Sequence, residues 1–439
     1  MRIASGVPFR VDSDLIELEI GPIAHGGHCV ARLDAVDDGT SGADGPGRGR
    51  VVFVRHTLPG EQVLARLTEA GEGATFWRAD AIEVRVASPD RVPSPWAAAG
   101  PGGVGGGELA HVSLPAQRAW KSTVIAEQLS RLAHIDREVP VEAAPGDDER
   151  SGLGWRTRIE LVADASGRAG MSKFRSHDVL ALDSMPLASE AIVGLDLFSK
   201  TWRPGARIEA VAPAGGDAPL VLVDGEPFDL RRGRPDSRPN ARSSVNEIVE
   251  IAGRTHVFRV GASGFWQVHR EAPGVLASAV LEALGDVDGA TVLDLYSGSG
   301  LFTVPISEAV GPTGAVVAVE GDARAVRDAR RVVHDRPNVE LLQGDVGRVM
   351  TGEDDSSSSV VHADVVVLDP PRVGAGRVVV EAIAALRPER VVYVACDPAA
   401  LARDIGYFTG AGYTLSDVRA FDLFPMTHHV ECVAVLEPA

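Results

Sequence analysis

The sequence predicts an α/β protein with a small N-terminal β-barrel, a central mixed α+β region and a C-terminal, doubly wound parallel sheet. Three observations carry this prediction. Residues 14–88 hold short alternating runs cut by Gly and Pro turns. Residues 89–114, PDRVPSPWAAAGPGGVGGGELAHVSL, interrupt that pattern with a Pro/Gly-rich connector. From residue 276, apolar strand-like runs alternate with helical ones, as parallel sheets with right-handed crossovers require.

In chain order, LIELEI (15–20) alternates weakly, and IGPIAHGGHCVARL breaks at Gly26-Gly27. RVVFVRHTLPGEQVLARLTEA reads as two strands about a Leu58-Pro59-Gly60 turn, and TFWRADAIEVRVAS as a further strand pair. About five short strands in this span suggest a barrel of the oligonucleotide-binding type. The insert 34–50, rich in Asp and Gly, reads as a flexible loop. A helix of about five turns is predicted over LPAQRAWKSTVIAEQLSRLAHI, apolar at Val124, Leu129 and Leu132. Residues 152–260 read as strands and polar loops whose order the sequence does not reveal. Beyond them come a helix (GVLASAVLEAL), a strand entering a Gly turn (ATVLDLYSGSG), then FTVPISEAV, GAVVAVEGD, ARAVRDARRVVHD, VELLQGD, ADVVVLDPP, VVVEAIAAL, RVVYVACDP and the final strand HHVECVAVLEPA. The expected domains are therefore 1–88, 89–260 and 261–439.

A chain of 439 residues exceeds one core, in line with two or three domains. No apolar run reaches the roughly 18 residues needed to span a bilayer. MRIASGVPFRVDSD lacks the apolar segment of a signal peptide, and three scattered cysteines make no disulfide framework. The cytoplasm is the expected compartment, without a membrane or an obligate protein partner. A formal charge of −18 excludes a simple nucleic-acid binder covered in positive charge. The middle of the chain is nevertheless locally basic, through Arg156, Arg158, Lys173, Arg175 and the arginines of DLRRGRPDSRPNAR (229–242). Lysine occurs only at 121, 173 and 200, so positive surface is made by arginine, the better partner for phosphates and stacked bases.

The Gly turn Asp294-Leu-Tyr-Ser-Gly298-Ser-Gly300-Leu-Phe-Thr303 follows a strand. A dinucleotide fold would place a third glycine near 303, where Thr303 stands. Glu320, ending the next strand, can accept hydrogen bonds from ribose hydroxyls. A Gly turn with a strand-end acid suits an adenosine without phosphates, S-adenosylmethionine above all. Asp369-Pro370-Pro371 ends another strand; Asp369 could cap the next helix, or the stiff prolines could hold a flat ring. Cys396 sits where VVYVACDPAALARDI must stop being a strand, the position at which open α/β sheets do chemistry. Cys29 and Cys432 read as small core residues. The adjacent His428 and His429 lack a carboxylate at ligand spacing and make a poor metal site.

DLYSGSGLFTVPIS, VEGD, VVLDPPRVGAG, VVYVACDPAALARDI and FPMTHHVECVAVLE together resemble the S-adenosylmethionine-dependent RNA 5-methyluridine methyltransferases, across the whole catalytic half. The resemblance extends upstream to GFWQVH (264–269), similar to that family's cofactor-contact segment. IGPIAHGGHCVAR and RHTLPGEQV resemble the TRAM domain that many such enzymes use to hold RNA. The resemblance implies a Rossmann-like class I methyltransferase domain. It implies Cys396 as nucleophile and Glu431 as proton acceptor, with Gln267, Tyr296, Gly298, Glu320 and Asp369 at the cofactor and Asp369 also near the uracil. Leu301 stands where the family often has asparagine. Val104, Gly107 and Met185 occupy positions where many relatives keep iron–sulfur cysteines, so no cluster is expected, since a cubane needs four thiolates.

The chemistry matches these residue types. Carbon 5 of uracil is a poor nucleophile until a thiolate adds to carbon 6. After methylation a base must remove the carbon-5 proton before the thiol leaves. A helix starting beside Cys396 would favour the thiolate, and the target uridine must leave its stack to reach it. The implied substrate is RNA, by resemblance large-subunit ribosomal RNA, with transfer RNA also open. Two other readings remain at this level: a cytosine carbon-5 methyltransferase, which also needs the cysteine, and a non-enzymatic RNA-binding protein with a relic cofactor pocket.

Overall fold

Alternation of buried and outward residues decides the N-terminal sheet, seen in a computed structural model that describes residues 14–33, 49–71, 74–353 and 362–439. The loop expected over 34–50 lies almost entirely outside the described residues, as do residues 1–13. Contacts divide the chain into two compact units, one of 1–120, 173–177 and 426–428, the other of 121–172, 178–425 and 429–439.

The first unit is built on β1 (Leu15–Glu19), β2 (Ile23–Ala24), β3 (His28–Arg32), β4 (Val51–Arg55), β5 (Gln62–Glu69) and β6 (Phe76–Val86). They form one sheet in the order β1-β5-β6-β4-β3-β2. Cys29, Ala31, Val52 and Val54 point inward and are buried. The expected strand pair over 75–88 is instead the single strand β6, because three slips of register against β5 bend it enough to serve a curled sheet. The curl brings β1 beside β3. Buried Glu61 pins the LPGE turn: it accepts the backbone N–H groups of Leu58 at 2.8 Å and Ser88 at 3.1 Å, and pairs with Arg91. At position 107 a side chain would have no room, since a Cβ there would lie 2.6 Å from that of Ala99. Val104 and Met185 are buried apolar side chains. These three positions cannot supply thiolates to a cluster.

Helix α1 (Leu114–Gln128) continues into a π-helical turn, Leu129–Ala133, ended by His134 at φ 58°. Val124 and Leu129 are buried as the spacing requires, but Leu132 is 43% exposed. The wider π turn shifts the phase of the apolar stripe and rotates Leu132 outward.

In the second unit, after the short β7 (Val141–Ala143), an antiparallel sheet comprises β8 (Arg158–Ala163), β9 (Ala169–Ser172), β10 (Val179–Ala181), β11 (Arg207–Val211), β12 (Leu220–Val223), β13 (Glu226–Asp229) and β14 (Arg234–Pro235), with α2 (Glu190–Val193) between β10 and β11. A hairpin follows, β15 (Ser244–Ile251) and β16 (Arg254–Gly261). Then α3 (Ala272–Leu284), β17 (Thr291–Leu295), α4 (Thr303–Ala309), β18 (Ala315–Glu320), α5 (Ala323–Val333), β19 (Val339–Gln343), α6 (Val346–Thr351), β20 (Val365–Leu368), α7 (Gly376–Leu386), β21 (Arg390–Ala395), α8 (Pro398–Gly410), β22 (Tyr413–Asp422) and β23 (Glu431–Pro438) build the large sheet and its helical layers. Its order is β19-β18-β17-β20-β21-β23-β22-β7.

Strands β17 to β21 pair in parallel, as alternation with helices predicts. β23 then runs antiparallel between β21 and β22. Sequence reading missed β22 and the short α6; β22 carries charged residues among its apolar ones, Asp417 pairing with Arg137, Arg419 with Glu142 and Glu282, and buried Asp422 with Lys121. Alternate residues feed two cores: Leu293, Leu295, Val366 and Tyr393 face α7 and α8, while Val292, Val367 and Val392 face α3 and the hairpin. One arginine of the basic middle is structural, while Arg175, Arg231, Arg232, Arg234 and Arg238 are exposed. Arg158 is buried, bonded to Glu247 and to the carbonyls of Ala262 and Gly264. Its positive charge ties a loop rather than facing solvent.

Beneath this layer, buried Lys121 donates to Asp422 and to the Phe424 carbonyl at 3.1 Å. Lys121→Met strands a buried carboxylate and should cost about 3–5 kcal/mol in urea unfolding. Adding Asp422→Leu should recover most of that loss; a double variant no more stable than the single one would refute the pairing.

Candidate active site

Strand β17 ends in a turn that the sequence bends sharply. Tyr296 is held at φ 61°, Gly298 at 55° and Gly300 at 89°. Such a conformation is costly for tyrosine and persists where surroundings over-determine it. A Cβ on Gly298 would meet nothing within 4 Å, so the turn faces open space. From the neighbouring strand end, Glu320 accepts the Gly298 N–H at 2.9 Å and the Asp322 N–H at 2.6 Å, fixing the acid to the turn while each oxygen keeps a second lone pair. Leu301, at the asparagine position, is 8% exposed and packs with Phe302 and Val304 into the core.

Beneath the turn, Asp294 is buried, with Oδ2 accepting Thr303 Oγ1–H at 2.6 Å and Oδ1 unpartnered. Burial raises its pKa to about 7, with Glu320 adding to the effect. Ser297 Oγ is also buried without a partner. Two unpaired buried polar atoms beside an open Gly turn are what a polar ligand would satisfy.

Asp369 follows β20 directly and caps no helix, since α7 begins at Gly376. Burial, then Asp294, pushes its carboxyl up to about 7. Cys396 follows β21, half-buried, and Asp397 behind it caps α8 by accepting the Ala400 N–H at 2.8 Å. Glu431 opens β23. The register Ala395↔Cys432 across β21 and β23 puts Glu431 next to Cys396. Glu431 is 4% exposed, and burial followed by the Asp369 charge raises it well above the usual carboxylate range, against Arg372. Cys396 is pushed up to about 12 by burial, then by Glu431 and Asp369, with Arg372 opposing. The thiolate that a helix start would favour is thus outweighed by burial and neighbouring acids. Cys432 points to the other face and is a core thiol, as its place beside Glu431 predicts.

Gln267 is buried in the segment between β16 and α3. That segment is held on both sides: Gly261 N–H donates to Asp328 at 2.8 Å, and His269 stacks on Trp155 and bonds to Asp147 at 2.9 Å. His429 meets Arg372 at 3.3 Å.

Sequence reading missed the support beneath this site. Asp404 on α8 is fully buried, accepting the N–H of Ala375 at 2.8 Å and of Gly376 at 3.2 Å, the Tyr393 hydroxyl at 2.7 Å and the Arg403 guanidinium. Arg403 in turn donates to the Val373 carbonyl at 2.8 Å. One carboxylate thereby ties the loop after Asp369 to the strand and helix that flank Cys396. The detectable signal was an acid on the apolar face of α8, among Leu401, Ile405 and Phe408.

Residues 354–439 match the family model described as tRNA (Uracil-5-)-methyltransferase, and residues 249–354 match that of Protein-L-isoaspartate(D-aspartate) O-methyltransferase. The chain is 42% identical to an uncharacterized RNA methyltransferase of Streptomyces coelicolor, over 98% of this chain and 94% of that one. It is 41% identical to one of Bifidobacterium longum, over 95% and 96%. In fold it is similar to the crystal structure of Pyrococcus abyssi tRNA (uracil-54, C5)-methyltransferase in complex with S-adenosyl-L-homocysteine, with TM-score 0.66 and 20% identity over 95% of this chain and 99% of that one.

Asp294 ionises only near pH 7 in the folded protein, against an ordinary 3.8. The folded state therefore binds more protons between those values, and stability falls as pH rises through that window. Asp294→Asn should raise the thermal midpoint at about pH 8 by the equivalent of about 1–3 kcal/mol, with the gain vanishing near pH 4. A pH-independent difference would refute this.

Proposed function

This chain belongs to the RNA methyltransferase family that includes the tRNA (uracil-5-)-methyltransferases, and from that membership we propose that it transfers a methyl group from S-adenosylmethionine to carbon 5 of a uridine in RNA through a covalent Cys396 adduct. The observation carrying this reading is the antiparallel entry of β23, whose register supports a thiol and a buried acid acting on one ring.

The cofactor's adenosine and amino-acid parts fit the Gly298 turn, Glu320, Tyr296, Gln267 and Asp369, with the unpartnered Asp294 and Ser297 atoms lying beneath that turn. When bound it supplies an electrophilic methyl group. The chain's own residues do the rest. Cys396 sulfur, as thiolate, forms a bond to carbon 6 of the uracil, and the electron pair displaced makes carbon 5 nucleophilic. Once carbon 5 carries the methyl group, Glu431 takes its proton, the carbon 5–carbon 6 double bond returns and the thiolate leaves. Glu431 must be ionised for this step, and the positive charge of Arg372 favours that state.

The proposed RNA is large-subunit ribosomal RNA, a reading supported by the resemblance of the first unit to a TRAM domain. The functional division is then 1–88 for RNA capture, 89–260 for connection and RNA contact, and 261–439 for catalysis, in the cytoplasm. Mapping 5-methyluridine in ribosomal and transfer RNA from cells lacking the chain decides between the two RNAs.

RNA carrying 5-fluorouridine should trap a protein adduct with the wild type and none with Cys396→Ala; methylation surviving in Cys396→Ala would overturn the covalent route. Glu431→Gln should methylate once and then accumulate adduct on ordinary RNA. With the thiol at about 12, kcat/KM should climb close to tenfold per pH unit from about pH 7 to 9, because only thiolate attacks. A flat profile would contradict thiol ionisation as the limiting equilibrium.

A further inference from the structure

Loops run over the surface as a rule, yet the loop that leads into Glu431 is largely buried. Residues 423–430 join β22 to β23, and among them Leu423, Met426, Thr427 and Val430 are each 5% exposed or less. Met426 is held at φ 69°. A side chain of that size keeps a left-handed conformation only where its surroundings over-determine it.

Those surroundings include one face of α1. Gln117 is fully buried, and its Oε1 accepts the Met426 N–H at 2.7 Å. Its Nε2 donates to the Val112 carbonyl at 2.8 Å and lies 3.3 Å from Met426 Sδ. The Met426 carbonyl accepts the Leu109 N–H at 2.9 Å, so both backbone groups of the strained residue are used. Lys121, one turn on from Gln117 along the same helix face, holds Asp422 and the Phe424 carbonyl. Beyond Met426, the His428 ring lies against Gly27, where a Cβ would come within 3.0 Å of it, and its Nδ1 is 3.7 Å from Glu108 Oε2. Glu431 follows as the first residue of β23, paired with Phe421 of β22. The end residue of a strand frays unless the chain before it is fixed.

We propose that Gln117 is a positioning residue for the base: by fixing the Met426 turn it fixes where Glu431 stands when the carbon-5 proton is taken. In that step a Glu431 carboxylate oxygen bonds the proton, and the carbon 5–hydrogen pair restores the carbon 5–carbon 6 double bond. The carbon 6–sulfur bond breaks and its electron pair leaves with the Cys396 thiolate. Methyl transfer comes earlier and does not use the carboxylate, so a displaced Glu431 stalls the reaction at the methylated adduct. The proposal rests on the covalent route argued above and adds what aims its base.

The test is methylation by the full-length protein with S-adenosylmethionine and total RNA from cells lacking the chain, grown on uracil with hydrogen or deuterium at carbon 5. Wild type should turn over without a lasting protein–RNA adduct. Gln117→Leu should lower kcat roughly tenfold to a hundredfold with KM nearly unchanged, the loss that a misplacement of about 1 Å brings. It should also leave a methylated adduct that survives denaturation, and deuterium should slow it more than it slows wild type. Glu108→Gln keeps the shape but removes the charge beside His428, and should move both readouts the same way by less. Where Gln117→Leu does not fold, Glu108→Gln decides. A merely structural role lowers the thermal midpoint without adduct or isotope effect. That result, or wild-type behaviour in both variants, overturns the proposal while the functional reading stands. If the wild type methylates no RNA, both fall together.

Discussion

Strand β23 enters the large sheet against the direction of β21, and the site depends on that reversal. In a purely parallel sheet the carboxyl ends of all strands lie at one edge and the amino ends at the other. An antiparallel insertion places an amino-terminal residue, Glu431, at the edge where β17, β18, β20 and β21 deliver Tyr296, Glu320, Asp369 and Cys396. An acid and a thiol thus meet from strands of opposite sense. The final strand also shields β21 on its far side, so the thiol sits within the sheet rather than at its rim.

That convergence gathers acids in a poorly solvated place. Asp294, Asp369 and Glu431 each hold protons more tightly than free carboxylates do, and the thiol does likewise. Arg372 is the positive charge that opposes the upward shift of both Cys396 and Glu431. A site tuned in this way destabilises the folded protein near neutrality and gains from any ligand bearing positive charge. The methyl donor, a sulfonium, has that charge. Affinity for the donor and ionisation of these acids and of the thiol are then linked by the same Coulomb attraction.

Rigidity comes from beneath. Asp404 binds two backbone N–H groups, a tyrosine hydroxyl and a guanidinium while fully buried, a satisfied network of the kind that holds one geometry. Its contacts fix the Pro370-Pro371 loop relative to β21 and α8. The tie from Arg158 to the 262–264 carbonyls does the corresponding work for the segment carrying Gln267.

Periodicity and punctuation in the sequence by themselves determined the α/β class, the parallel strands, the Gly turn and the cysteine at a strand end. Each is a local matter of period 2 against 3.6, of Pro, or of a residue that must take positive φ. What periodicity could not decide was anything set by distant partners. The charges that β22 mixes with its apolar residues pair with groups distant in the sequence, and Arg158 looked like solvent-facing charge until Glu247 met it, 89 residues later in the chain. The thiol's reluctance to ionise, against the pull of a helix start, likewise required knowing which acids surround it. Local backbone preference is written within a few residues, whereas electrostatics and strand order arise only when the folded chain brings remote groups into contact.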